Sequence, residues 1–103
     1  MENAVGFYQS CIKQLLSEYE SLKTDNASIE LICDDNRKRY LATWVGWKQD
    51  KRIHQCAVHI DIIDAKVVIQ WNDTEDQIAH DLIEMGIPKD RINLGMIPPY
   101  FSS

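Results

Sequence analysis

Four strand-like runs stand so close together in this chain that each must pair with the next. They are Ile29–Cys33, Tyr40–Trp47, Arg52–Ile63 and Val67–Trp71. The segments between them are Asp34-Asp-Asn-Arg-Lys-Arg39, Lys48-Gln-Asp-Lys51 and Asp64-Ala65. All three are rich in turn residues and too short for a parallel crossover, which takes about a dozen residues or more. The spacing predicts an antiparallel meander of sequential neighbours.

A helix precedes the strands and another follows. Residues 3–22 carry Val5, Tyr8, Ile12, Leu15, Tyr19 and Leu22 in steps of three and four, with Cys11 and Leu16 widening the stripe. Lys23–Ser28 is a polar connector. The second helix is expected after Asn72-Asp73, with Thr74 and Gln77 as a capping box and Glu75 and Asp76 favouring the positive helix end. Its buried stripe is Ile78, Ala79, Leu82 and Ile83, and Gly86 ends it in a left-handed conformation. Pro88–Arg91 is a turn, Ile92–Leu94 a short extended piece, and Ile97-Pro-Pro-Tyr-Phe101 a docked tail. The expected fold is α+β: an N-terminal helix, a four-stranded antiparallel meander, a second helix and a short extended tail, with both helices on one face of the sheet. One domain spans 1–103, because a chain of 103 residues is hardly long enough for two cores. A domain this small buries roughly 60–65% of its unfolded surface, so association would add stability.

Tight hairpins sort the side chains into two sheet faces. The face expected under the helices holds Leu41, Thr43, Val45, His54, Cys56, Val58, Ile60, Ile62, Val67, Ile69 and Trp71. The other is mixed: Tyr40, Ala42, Trp44, Gly46, Ile53, Gln55, Ala57, His59, Asp61, Ile63, Lys66, Val68 and Gln70. Aromatic anchors within a polar rim are the usual anatomy of a protein interface. Tyr40, Trp44, Ile53, His59 and Val68 are therefore the expected partner-binding residues, and the face is expected to dock a second subunit, as a homo-oligomer (dimer), or another protein.

Candidate chemistry is thin. His59 and Asp61 share the mixed face with Asp64 nearby in the turn, and His80 lies on the second helix. His-x-Asp on a strand matches no zinc or nuclease spacing, and a strand histidine beside a carboxylate is more often a structural pair. His54 is expected in the core near the end of the sheet. The serines have no base nearby in sequence, and the four glycines form no phosphate-binding loop. No catalytic residue, metal site or cofactor is expected. Cys11, Cys33 and Cys56 show no C-x-x-C spacing and are expected to be buried thiols.

The net charge is −5. Residues 1–51 hold seven Lys/Arg against eight Asp/Glu, and residues 52–103 hold four against eight. That balance suits a basic protein partner better than a phosphate backbone. The basic clusters Arg37–Arg39 and Lys48–Arg52 sit at opposite ends of a strand, roughly 26 Å apart at ~3.3 Å per residue. No apolar run approaches the ~20 residues of a membrane span, and Met1–Val5 lacks the basic, then apolar, start of a signal peptide. A cytoplasmic protein with no membrane partner is expected.

Val45-Gly-Trp47, His59-Ile-Asp-Ile-Ile-Asp-Ala-Lys66 with Ile69-Gln70, Gly86-Ile-Pro-Lys89, Leu94-Gly95 and Pro98-Pro99 occur in an order and spacing that resembles the XisI family, the fdxN element excision controlling factors of cyanobacteria. The resemblance implies a small α+β domain and an accessory role in programmed DNA rearrangement during heterocyst development. It implies that a site-specific recombinase complex performs the chemistry and that a nuclease-like companion, XisH, takes part. The implied function is a non-enzymatic controlling factor that binds a XisH-like protein or the recombinase complex. The alternative is an excisionase that binds DNA directly, and direct nucleic-acid contact stays open at this point. The sequence departs from the family at Ala65, where members carry Gly in the hairpin turn.

Overall fold

The computed structural model describes residues 4–74 and 76–95. Glu75 of the expected helix start and the expected docked tail, Ile97–Phe101, lie outside the described residues. Helix α1 (Ala4–Ser17) buries Tyr8, Cys11, Ile12, Leu15 and Leu16, each contributing roughly 1.5–3 kcal/mol of gross hydrophobic stabilisation if fully buried. The α-helix stops five residues earlier than the stripe predicts. Ser17 Oγ donates to the Gln14 carbonyl at 2.6 Å, and the chain tightens into i→i+3 turns, with the Tyr19 N–H on the Leu16 carbonyl at 2.9 Å. This turn keeps Tyr19 buried but swings Leu22 outward, so Leu22 is not part of the core.

The sheet has five strands in the order β1 (Ala27–Asp34), β2 (Arg39–Lys48), β3 (Lys51–Ile63), β4 (Lys66–Asn72) and β5 (Ile92–Leu94). The first four form the expected antiparallel meander. The expected short extended piece is instead a fifth strand, parallel to β4 through Val67↔Ile92 and Ile69↔Leu94. Helix α2 (Ile78–Glu84) supplies the crossover that a parallel pair requires.

The start of α2 also differs from expectation. Thr74 does not cap it. The Thr74 N–H and hydroxyl both go to Asn72 Oδ1, and Thr74 Oγ1 accepts the Asp76 N–H. That local turn delays the helix to Ile78, and the N-cap, Gln77, makes no side-chain capping bond. The C-terminus is as expected. Gly86 has φ +117°, its N–H reaches the Ile83 carbonyl, and the Ile87 N–H reaches the Leu82 carbonyl. This double closure satisfies two of the last carbonyls and brings buried Leu82 and Ile87 together.

The β3–β4 turn is tight despite lacking glycine: Asp64 and Ala65 adopt φ +54° and +61° between paired Ile63 and Lys66. A non-glycine residue there costs about 1–2 kcal/mol. Ala65→Gly is expected to raise stability by about 1 kcal/mol, shifting the melting midpoint up by roughly 4 °C. An unchanged midpoint in thermal unfolding would remove the strain argument.

Two bulges set the faces of the sheet. Ala42 pairs with Val58 but Thr43 pairs with Cys56, leaving Ala57 as an extra residue in β3. His59 pairs with Trp71 but Ile60 pairs with Ile69, leaving Gln70 extra in β4. The Ala57 bulge inverts the expected face of β2. Tyr40 and Ala42 are buried with Val58, Ile60, Ile62, Val67 and Ile69 under the two helices, and Trp44 packs against them. Leu41, Thr43 and Val45 point to the other side. Tyr40 has no exposed surface; its hydroxyl donates to Asp35 Oδ1 at 2.8 Å, and burial raises its pKa. Asp35 in turn meets Lys13 of α1 at 3.0 Å. The hydrogen bonds from Lys13 and Tyr40 hold its carboxyl below the usual range.

The far end of α1 is held by Tyr19, whose hydroxyl donates to Asp76 Oδ2 at 2.6 Å. Burial, and then the Asp76 carboxylate, push this phenol from its usual 10 up to about 12. A raised folded-state pKa means that the stabilisation is complete below about pH 10 and is lost as the pH climbs through 12. Urea midpoints are expected to fall across that window in the native chain. They are expected to fall less steeply in Tyr19→Phe.

Candidate functional site

Side chains of the sheet face away from the helices come from five strands, and no described element covers them. Alternation and pairing place Ile32, Leu41, Thr43, Val45 and Trp47 there from β1 and β2. On the two sides of its Ala57 bulge, β3 contributes His54, Cys56, His59, Asp61 and Ile63, and around the Gln70 bulge β4 contributes Val68, Gln70 and Trp71. Four of the large apolar side chains on this face stand out into solvent: Ile32 (51% exposed), Trp47 (55%), Ile63 (47%) and Trp71 (50%). Arg52 lies over the Trp47 ring, 5.4 Å from its centre, within the range of a cation–π contact.

The polar centre of the face is a linked trio. His59 Nε2 lies 2.9 Å from Asp61 Oδ1, and Gln70 Nε2 donates to Asp61 Oδ2 at 3.3 Å. Asp61 is 7% exposed, so these contacts replace most of its water. The Gln70 bulge is what brings its amide to Asp61. Beside the trio lies a shallow depression of about 510 Å³, lined by His54, Gln55, Cys56, His59, Gln70 and Trp71.

Of the five expected partner-binding residues, His59 and Val68 lie on the uncovered face. Tyr40 and Trp44 lie on the helix-covered face, Tyr40 fully buried and Trp44 half-buried against the core. Ile53 pairs with Gly46 on that same covered side, half-buried near the hairpin tip. The positions of His54 and Trp71 are corrected in the opposite sense: both are expected under the helices, and both are exposed on the free face. The thiols are not uniformly buried either. Cys11 is buried, Cys56 half-buried, and Cys33 exposed near the end of edge strand β1. Burial raises the pKa of all three, which keeps them protonated at neutral pH.

His80 sits on α2, paired with Glu84 at 3.2 Å, on the opposite side of the sheet from His59. Among the described residues, no three of His, Cys, Asp and Glu gather to hold a metal ion. No described helix is long and apolar enough to cross a membrane. Trp47, Gln70 and Trp71 were not among the expected site residues. The signal for Trp47 is the unbroken apolar run Cys56-Ala-Val58, which interrupts the alternation of β3 and marks its bulge, whereas Gln70 and Trp71 depend on the second bulge in β4.

Fold and site together define a two-layer α+β domain, with helices on one side of a largely antiparallel sheet and an aromatic-studded polar face on the other. The chain belongs to the XisI family: the sequence model described as XisI protein matches residues 1–103. It is similar to the crystal structure of a XisI-like protein from Anabaena variabilis, with 37% identity and a TM-score of 0.87 over 93% of this chain and 90% of that one. It is also similar to the fdxN element excision controlling factor XisI from Anabaena variabilis, with 26% identity and a TM-score of 0.86 over 98% of this chain and 100% of that one. No curated protein matches it.

Proposed function

We propose that this chain is a non-enzymatic controlling factor of DNA-element excision that works by binding other proteins. The observation that carries this reading is the concentration of Ile32, Trp47, Ile63 and Trp71 on one uncovered sheet face. Exposed aromatic anchors around a satisfied polar centre favour association over catalysis, because the His59–Asp61–Gln70 trio spends its hydrogen bonds on itself. The name of the second relative, an excision controlling factor, supports the excision context. The partners of this proposal are a XisH-like nuclease and the site-specific recombinase complex, reached in the cytoplasm. A net charge of −5 suits a basic cleft on such a partner.

Pull-down of a XisH-like protein, or of the recombinase complex, by the full chain tests the proposal. Specific capture at physiological salt is expected, and clean absence of capture for both overturns it. The excisionase alternative, direct DNA binding, is disfavoured by the placement of the cations. Arg37–Arg39 lie at one end of β2 and Lys48–Arg52 at the other, so they form no continuous stripe. A salt-dependent gel shift by the isolated chain on element-border DNA would reverse that preference.

A further inference from the structure

The uncovered sheet face is built to match itself. We infer that its occupant is a second copy of this chain, packed sheet to sheet about a twofold axis that runs parallel to the strands between β2 and β3. The inference rests on the reading of that face as a protein-docking surface, and it names what docks there.

The argument begins with register. In one chain, the face-sharing pairs across β2 and β3 include Arg39↔Asp61, Leu41↔His59, Val45↔His54 and Trp47↔Arg52. The proposed axis sets β2 of one copy over β3 of the other. Every one of these pairs is thereby repeated across the interface, twice. Arg39 meets Asp61 of the second copy, Trp47 meets its Arg52, and the aliphatic Leu41 and Val45 meet its imidazoles. One strand further out, β1 lies over β4. The row Ile32↔Leu41↔His59↔Trp71 brings Ile32 over Trp71 of the second copy, so two exposed apolar groups cover each other. Asp34 falls beside Val68 of the second copy and so near its Lys66, two residues along β4. The other in-plane axis, across the strands, would set Arg39 over Val45 and Arg52 over Ile63, charge against hydrocarbon. That placement sets Asp61 over His54 but leaves Arg39 and Arg52 with no carboxylate opposite.

The charges on the face are ready for such pairing. Among the described residues neither Arg39 nor Lys66 has an ion-pair partner. Asp61 gives one oxygen to His59 and the other to Gln70, and a carboxylate still has lone pairs for a guanidinium. The area is adequate. About this axis four strands overlap, and at about 4.8 Å spacing and about 30 Å of length they cover roughly 580 Å², near the about 600 Å² per partner at the lower end of standard stable interfaces. Aligned sheet stacking at about 10 Å separation leaves room for one interdigitated layer of side chains from each copy.

Sedimentation equilibrium and light scattering on the full chain test this. A particle of twice the 12.0 kDa chain mass is expected. On dilution, Trp47 and Trp71 return to water, so a red shift of tryptophan emission should track dissociation. Arg39→Glu and Lys66→Glu are each expected to weaken the dimer at least about 100-fold, since every contact occurs twice. Arg39→Lys should weaken it far less. Lys48→Glu, at the hairpin tip and off the interface, should leave it unchanged. Circular dichroism of each variant separates lost assembly from lost folding. A chain that stays monomeric up to about 100 µM overturns the inference. So does a dimer indifferent to Arg39→Glu and Lys66→Glu. A monomer whose Trp47 and Trp71 resist a soluble quencher also overturns it, and assigns the face to residues 96–103 instead. A monomer that still captures a XisH-like partner ends the homodimer but leaves the controlling-factor reading standing. A dimer that captures nothing does the reverse.

Discussion

Gly46→Ala is expected to destabilise the domain by about 3 kcal/mol or more, lowering its melting midpoint on the order of 15 °C. A glycine inside a strand is normally a weakness, and alanine would be expected to help by about 0.5–1 kcal/mol. Here the sign reverses because the site is occupied. A Cβ on Gly46 would run into the Asn26 carbonyl oxygen, with the Ala27 Cα 2.7 Å away and the Asn26 carbonyl carbon at 2.8 Å. These are backbone atoms and have no rotamer to escape into. They are also fixed by their own bonds. The Trp47 N–H donates to the Asn26 carbonyl at 3.0 Å, and Thr24 Oγ1 accepts the Ala27 N–H at 3.1 Å. Relief would require the connector before β1 to lift off β2, taking the Ala27↔Gly46 pair with it. Thermal and urea unfolding measure the effect. A variant as stable as the parent would show that the connector yields freely.

Tyr40→Ala is expected to cost about 3–5 kcal/mol, the range for removing a fully buried aromatic side chain. Tyr40→Phe should cost about 1 kcal/mol, the net value of its hydroxyl bond to Asp35. The pair of variants separates two roles. If Tyr40 belonged to a docking surface, its truncation would weaken partner capture at unchanged stability. With no surface exposed and with Asp35 as its link to Lys13 of α1, it is expected to act on stability first. The Phe variant should also let the Asp35 carboxyl move back up toward the ordinary carboxylate range, which NMR titration of its side chain would register. Unchanged Asp35 titration would mean that Lys13 alone sets it.

Tyr40 also shows where sequence reasoning succeeded and where it could not. The strands, the tight turns and the Gly86 helix stop were legible because each rests on local chemistry: alternation, short loops and a positive φ. The face of β2 was not. Tyr40, Ala42 and Trp44 are as apolar as Leu41, Thr43 and Val45, so the pattern alone cannot say which set is buried. Pairing from the Lys48–Lys51 turn is right through Thr43↔Cys56, then Ala57 slips the register by one, so β2 and residues 53–56 of β3 show the face opposite to the one expected, while Val58, Ile60 and Ile62 keep theirs. β5 was invisible as a strand for a different reason. Three residues carry almost no period, and their partner lies across the α2 crossover. The docking face was legible as a kind of surface but not as a set of residues, with His59 and Val68 common to both versions.

Helix α1 is latched at both ends to residues far along the chain, Lys13 to Asp35 and Tyr19 to Asp76. The hairpins need only near neighbours and can close within about 1–10 µs, whereas contacts of high sequence separation come later. During synthesis α1 leaves the ribosome before the sheet it packs on and is therefore among the last parts to find its seat. Until residue 76 has been translated, Ile12, Leu15 and Leu16 have only a partial sheet to lie against. Nascent chains stalled before that point should offer this stripe to chaperones, and chains stalled beyond it should not.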